Sequence, residues 1–323
     1  MKHVSSRLWL AVLLAALAAT PAFGQGGATG SIEGTVVDSG GGIIPGATVT
    51  ATNDATAGTS TAVSQANGSF TIPSLVVGKY TVTVALQGFK TAVLKDVQVS
   101  AGAPVSIKPI LEVGGVTETV VVEGASQIIQ TSSSAVSTVL NTNQIISLPL
   151  ASRNTLDFIQ FLPGVQTPGN TRDSVINGLP QSSINITVDG VSVQDNHLKT
   201  GDGFFARMSP RLDAVEEVSV TTAGNGADAS GQGSTQIKFS TRSGSNMFTG
   251  SAYYFYQNDS LNTNTFFNKI NKLPKNTITQ NQPGVRAGGP FVIPGVYDGH
   301  DKAFFFVNYE ELHQPATRSR KYQ

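Results

Sequence analysis

Residues 182–193 read SSINITVDGVSV, and the alternation in this stretch decides how the chain around it folds. Ile184, Ile186 and Val188 alternate with polar residues, Asp189-Gly190 supplies a two-residue turn that tolerates positive φ, and Val191 and Val193 resume the alternation. The spacing predicts a half-buried β-hairpin. Many folds contain one, so the hairpin alone assigns no function. On its N-terminal side, residues 135–140 read as a short strand, and Thr142 or Asn143 is placed to cap a short helix through Ile146. Ser152 is placed to cap a second helix, with Leu156, Ile159 and Leu162 on one face and Pro163-Gly164 as its stop. On the C-terminal side, residues 215–220 and 235–240 are further strands. Few, brief helices among these strands predict a small mixed α/β sheet.

The order of the surrounding words is more specific. LPLASRNTLDFIQFLPGV (148–165), then Asn177-Gly178, then the hairpin, then DAVEEVSV (213–220) resembles the plug domain of TonB-dependent outer-membrane receptors. The mature chain as a whole is similar to the N-terminal part of the Oar-like branch of that family. The resemblance implies a plug over residues 125–241 whose outward loops, 167–173 and 194–211, touch the cargo. Its candidate cargo-facing residues are Thr167, Asn170, Arg172, Asp195, Asn196, His197 and Arg207; a role in only sealing the barrel wall is the alternative. The chain departs from the Oar-like pattern at Ala151-Ser152, at Leu179-Pro180 and at residues 235–239 (TQIKF), which leaves the fold but loosens any inference about cargo.

Composition agrees with a mainly β chain. Its 323 residues include 34 Gly and 15 Pro with only 13% charged residues, the balance of short strands joined by turns. Lys plus Arg and Asp plus Glu are both 21, and no basic stripe is present to follow a phosphate backbone, so nucleic acid is not an expected partner. There is no Cys, so each domain must stand on packing alone. Lys2 and Arg7 precede the apolar run 8–19, and Ala22-Phe23-Gly24 fits a cleavage site, which predicts a secretory signal peptide over residues 1–24.

From residue 30 to 112, six or seven short alternating segments without intervening helices predict an antiparallel β-sandwich. Gly34-Thr35-Val36-Val37-Asp38, Pro45-Gly46-Ala47-Thr48-Val49, Asn67-Gly68-Ser69-Phe70, Gly78-Lys79-Tyr80 and Gly88-Phe89 resemble the carboxypeptidase regulatory-like domain, a transthyretin-like or carbohydrate-binding-like sandwich. That resemblance implies core positions for Phe70, Tyr80 and Phe89, and it names the non-catalytic appendage of those peptidases. No zinc-binding set accompanies it. His3, His197, His300 and His313 are scattered and none forms HExxH; Asp189, Asp195 and Asp202 match no compact calcium loop. No enzyme, metal or cofactor is expected. Sugar binding on exposed aromatics stays open beside core burial.

Residues 113–124 join sandwich to plug. Within them Glu118-Thr119-Val120-Val121-Val122 resembles the energy-coupling box of TonB-dependent receptors, which implies a TonB-type periplasmic energy transducer as partner, bound through Thr117, Glu118, Thr119, Val120, Val121 and Val122. β-branched residues favour an extended backbone that can add to a sheet edge. On pattern alone the stretch reads better as one more strand of the sandwich or plug; its place between the two modules favours the box.

Residues 242–323 turn to longer aromatic segments, 248–257, 284–293 and 303–310, with lengths suited to tilted outer-membrane strands. Ala303, Phe305, Val307 and Tyr309 fall on one side and are expected to face lipid, Asn308 and Glu310 on the other; Tyr253, Tyr254, Tyr256 and Tyr297 fit aromatic girdles. Three strands cannot close a barrel, which takes at least about eight strands and about 22 around a plug. The sequence is therefore expected to lack most of its barrel. The functional expectation is a receptor binding a siderophore, glycan, peptide or protein cargo for energised uptake. The alternatives are a secreted sugar- or peptide-binding or adhesion protein and a SusC-like glycan importer.

Overall fold

The computed structural model describes residues 28–115, 119–122, 135–147, 153, 155–162, 164–166, 175–179, 183–194, 206, 208, 210–225, 235–275 and 277–314. The expected signal peptide and Ser152 lie outside these residues.

The first unit is built from β1 (Thr29–Thr35), β2 (Val37–Asp38), β3 (Thr48–Asn53), β4 (Thr59–Val63), β5 (Ser69–Val76), β6 (Gly78–Ala85), β7 (Thr91–Val99), β8 (Val105–Ile107), β9 (Ile110–Leu111) and β10 (Thr119–Val122). A five-stranded sheet in the order β10-β7-β6-β3-β4 shares one core with a three-stranded sheet, β5-β1-β8, while β2 and β9 pair separately. Alternation puts Val49 and Ala51, Tyr80, Val82 and Val84, and Phe70 and Ile72 into that core. Gly34 is required by a close approach: a Cβ there would collide with the carbonyl of Ile107 on β8 and press on the Phe70 ring. Phe70 and Tyr80 are buried as expected, and the Tyr80 hydroxyl donates to the Val76 carbonyl (2.8 Å). Phe89 is only partly buried, packed against the rim of the cluster. The sandwich is not wholly antiparallel: β1 with β8, β2 with β9 and β7 with β10 run parallel. Each of these pairs is joined through intervening strands, and such long connections permit parallel pairing.

The second unit contains β11 (Val136–Asn141), helix α1 (Thr142–Ser147), a 3-10 segment (Thr155–Phe161), β12 (Val165–Gln166), β13 (Val175–Ile176), β14 (Ile184–Val188), β15 (Val191–Ser192), β16 (Val215–Ala223) and β17 (Thr235–Thr241). Its sheet, β11-β16-β17-β14-β15, is mixed because β14 and β17 run parallel. The helix cap falls on Asn141, before either expected residue. Asn141 accepts from the Gln144 N–H (2.9 Å) and its own N–H donates to Gln144 Oε1 (3.0 Å), a reciprocal capping box. Leu156, Phe158, Ile159 and Leu162 bury against Ile184, Ile186, Ile237 and Phe239, with the Phe158 and Phe239 rings edge to face at 6.4 Å.

The hairpin forms as the sequence dictates. Asp189 and Gly190 take φ of 47° and 81°, Val188 faces Val191, and the Asp189 carboxylate locks the turn by accepting from Thr241 N–H (2.9 Å) and Oγ1 (2.7 Å). The strand is more buried than expected. Asn185 and Thr187, on the polar side of β14, are both buried, and Asn185 Nδ2 donates to Gln236 Oε1 (2.9 Å).

The third unit is an antiparallel meander of β18 (Thr249–Asn258), β19 (Thr279–Pro290) and β20 (Phe304–Glu310); helix α2 (Phe266–Ile270) lies in the connection from β18 to β19. β19 begins before the expected apolar stretch because its polar start is paired: Tyr254 Oη donates to Asn281 Oδ1 (2.7 Å) and Gln282 Nε2 to Glu310 Oε1 (2.6 Å). Tyr254, Tyr256, Val307 and Tyr309 are exposed on one face and Ala303 and Phe305 are half-exposed, whereas the Glu310 side chain on the other face is 0% exposed. Tyr253 departs from the girdle expectation. Its register opposite Gly284 turns the ring to the inner face, and it covers the space a Cβ at Gly284 would occupy. Tyr297 lies in the β19–β20 connection against Phe291, ring centroids 6.3 Å apart.

Candidate functional site

Among the described residues, three places join the units, and each bears on function. The first is the stretch that joins sandwich to plug. Thr119–Val122 forms β10, paired parallel to β7 with Thr119 beside Thr91, Val120 beside Ala92, Val121 beside Val93 and Val122 beside Leu94. Thr117 and Glu118 lie outside the described residues. Just upstream, the chain is clipped to the β6–β7 turn: Lys90 N–H donates to the Glu112 carbonyl (2.8 Å), Gly114 N–H to the Gly88 carbonyl (3.2 Å), and Lys90 Nζ lies 3.6 Å from Glu112 Oε2.

The second place is the contact of sandwich with plug. Strand alternation gives the plug sheet a polar face bearing Asn185, Thr187, Glu217, Ser219, Gln236 and Lys238, opposite its apolar core. The β7–β8 turn of the sandwich sits on it. Ala101 N–H donates to Glu217 Oε1 (2.7 Å), and the Lys238 side chain lies directly over Gly102. Asn246 N–H, at the start of the third unit, donates to the Ala55 carbonyl (2.9 Å). A cleft of about 970 Å³ remains between the three units, lined among others by Asn53, Lys79, Gln144, Glu216 and Arg242. Burial pushes the Glu217 carboxyl above its ordinary 4.5, against the lowering effect of the Ala101 N–H and the Ser100 hydroxyl, with Glu216 adding a small further push.

A pH dependence follows from that shift. As pH falls, the folded chain takes up the Glu217 proton before the unfolded chain does. The burial penalty of this charge is therefore present above the raised folded value and is relieved as pH falls toward 4.5. Glu217→Gln keeps an acceptor for Ala101 and removes the titration. Melting temperatures measured from neutral pH downward should converge for the parent and the variant, the variant being the more stable at neutral pH. Parallel curves would show that Glu217 carries no such penalty.

The third place joins plug to barrel strand. Arg153 pairs with Asp213 and lies 3.5 Å from Glu310 Oε2, and Arg211 Nε lies 3.8 Å from Glu310 Oε1. Tyr253 Oη donates to Glu310 (2.5 Å), and the Arg153 guanidinium lies 4.9 Å from the Tyr253 ring centre and 4.0 Å from that of Phe255. Sequence reading did not find this cluster, although alternation already put Glu310 on the inner face. The candidate cargo residues Thr167, Asn170, Arg172, Asp195, Asn196, His197 and Arg207 all lie outside the described residues. The base of the longer loop is described: Gln194 bridges to Ala206.

Residues 31–112 match the carboxypeptidase regulatory-like domain, residues 129–236 the TonB-dependent receptor plug domain, and residues 240–322 an outer membrane beta barrel domain. Over 214 residues the chain is 26% identical to the TonB-dependent transporter Oar of Myxococcus xanthus, covering 64% of this chain and 19% of that protein. The chain thus spans about a fifth, 19%, of that curated relative. The siderophore receptor PirA from Acinetobacter baumannii is 19% identical with a TM-score of 0.37, over 48% of this chain and 22% of that one. The Serratia marcescens hemophore receptor HasR, a double mutant in complex with its hemophore HasA and heme, is 14% identical with a TM-score of 0.31, over 48% of this chain and 29% of that one.

Proposed function

We propose, from the premise that this chain carries the plug and barrel domains of the TonB-dependent receptor family behind a carboxypeptidase regulatory-like domain, that it serves as a receptor in the Gram-negative outer membrane for energised uptake of a cargo. The sandwich and the plug's inner face belong to the periplasmic side in this reading. An energised periplasmic partner of the TonB type takes hold of residues 117–122, and the plug loops 167–173 and 194–211, with Thr167, Asn170, Arg172, Asp195, Asn196, His197 and Arg207, meet the cargo. The plug match is to a receptor domain and the curated relative is a transporter, and no catalytic role is assigned.

The supporting observation is the place and form of Thr119–Val122: a short extended strand of β-branched residues between the sandwich and the first plug strand. An extended segment gives a partner sheet edge its affinity through main-chain hydrogen bonds. Proline removes one donor and fixes φ. Val121→Pro should therefore weaken binding of the periplasmic domain of a TonB protein by about tenfold or more, the worth of one to two ladder bonds. The melting temperature should hardly move, because β10 is an edge strand of its sheet. Pull-down and thermal melt on the same variant check this. Retained binding would refute the coupling role, and a large drop in melting temperature would return the stretch to ordinary scaffold.

A further inference from the structure

Thr119–Val122 is already a strand, on the edge of a sheet in its own chain. Resting on the coupling role proposed above, we infer that the sandwich stores the coupling segment on β7, and that the energised partner takes the segment by exchanging its own sheet edge for β7. The sandwich is then a clasp that regulates access to the segment.

Four features of the chain support a clasp. The pairing is parallel, the weaker geometry, and among the described residues it is four residues long. It sits at the end of the sheet, so its release exposes β7 without unpairing β7 from β6. The clip at Glu112 and Gly114 holds the chain on the N-terminal side of the segment and so returns it to the same register. Finally, the sandwich is fixed to the plug through Ala101–Glu217 and over Gly102, so β7 stays in place while β10 leaves.

Release also supplies reach. While β10 is paired, a pull on it is borne by β7. Once β10 is free, a pull passes straight along the chain to β11, the first plug strand. The 13 residues between Val122 and Val136 span up to about 45 Å when extended. A partner that binds only the released segment has its apparent affinity reduced in proportion to the fraction of molecules in which the segment is free.

The chain contains no Cys, so one engineered pair gives a clean lock. Val93 and Val121 are register partners on β7 and β10, and neighbouring strands lie within disulfide reach. In the full chain carrying Val93→Cys and Val121→Cys, binding of the purified periplasmic domain of a TonB protein is compared between the reduced and the oxidised form of the same protein. The oxidised form should bind at least about 30-fold more weakly. Equal binding in both forms would overturn the clasp, since the partner would then add to the outer edge of a strand that never leaves. Failure of the reduced form, together with failure of the parent, would overturn the coupling role itself and the clasp with it. Hydrogen exchange on the unsubstituted chain gives a second reading: Thr91 to Leu94 should exchange faster when the periplasmic domain binds, and unchanged or slower exchange there refutes release.

Discussion

Phe70→Ala is expected to destabilise the sandwich by about 3 to 5 kcal/mol, the cost of emptying a large aromatic site that its surroundings cannot refill. Phe70 is 2% exposed, and its ring lies against Gly34, which is itself held close to the β8 carbonyl of Ile107. The wall on that side is backbone and cannot fold inward. For a unit of this size each kcal/mol shifts the midpoint by roughly 4–8 °C, so the melting temperature of residues 30–112 expressed alone should fall by at least about 12 °C. Phe89→Ala is the internal comparison. Phe89 is only partly buried at the rim, so its truncation should cost clearly less, on the order of 1 to 2 kcal/mol. Equal losses for the two would mean that the core is not centred on Phe70, and no cooperative melt of the isolated unit would sink its independence altogether.

The contrast between these two phenylalanines shows where the sequence was legible. The resemblance to the regulatory-like domain placed Phe70 and Tyr80 in the core, while alternation and turn chemistry, which are local, placed the Asp189-Gly190 turn and the two faces of β20. β4 is hard to read from sequence because an edge strand needs little apolar content: Thr59–Val63 alternates only between exposed and half-exposed. The direction of pairing was not legible either, since β10 takes its partner from residues far back in the chain. Tyr253 and Tyr254 look alike in sequence, and only register separates them: one step along β18 turns one ring inward over Gly284 and leaves the other 62% exposed. The buried polar residues on β14, β16 and β17 had no reading at all until the sandwich was seen seated on that face. The charged cluster was the least legible, because Arg153 meets partners 60 and 157 residues away.

That cluster carries the second large expected effect. Arg153 is the cation closest to two carboxylates, Asp213 and the fully covered Glu310, while Arg211 stands at 3.8 Å from Glu310 with its side chain 43% exposed. Arg153→Ala leaves both carboxylates underneutralised in a site that water scarcely reaches, and should cost about 3 to 5 kcal/mol in the full chain. Glu310→Gln should cost less. Arg153 then keeps Asp213 and its two aromatic faces, Arg211 turns to solvent, and the amide oxygen can still accept from Tyr253 or Gln282. Arg153→Lys should rescue little, because a point charge can neither reach both carboxylates in a fork nor stack flat on Phe255. Denaturant unfolding in detergent, with a double-mutant cycle between positions 153 and 310, checks the ranking. A loss for Arg153→Ala no greater than for Glu310→Gln, or zero coupling between the two positions, would show that the plug is not held to the barrel strand through this cation.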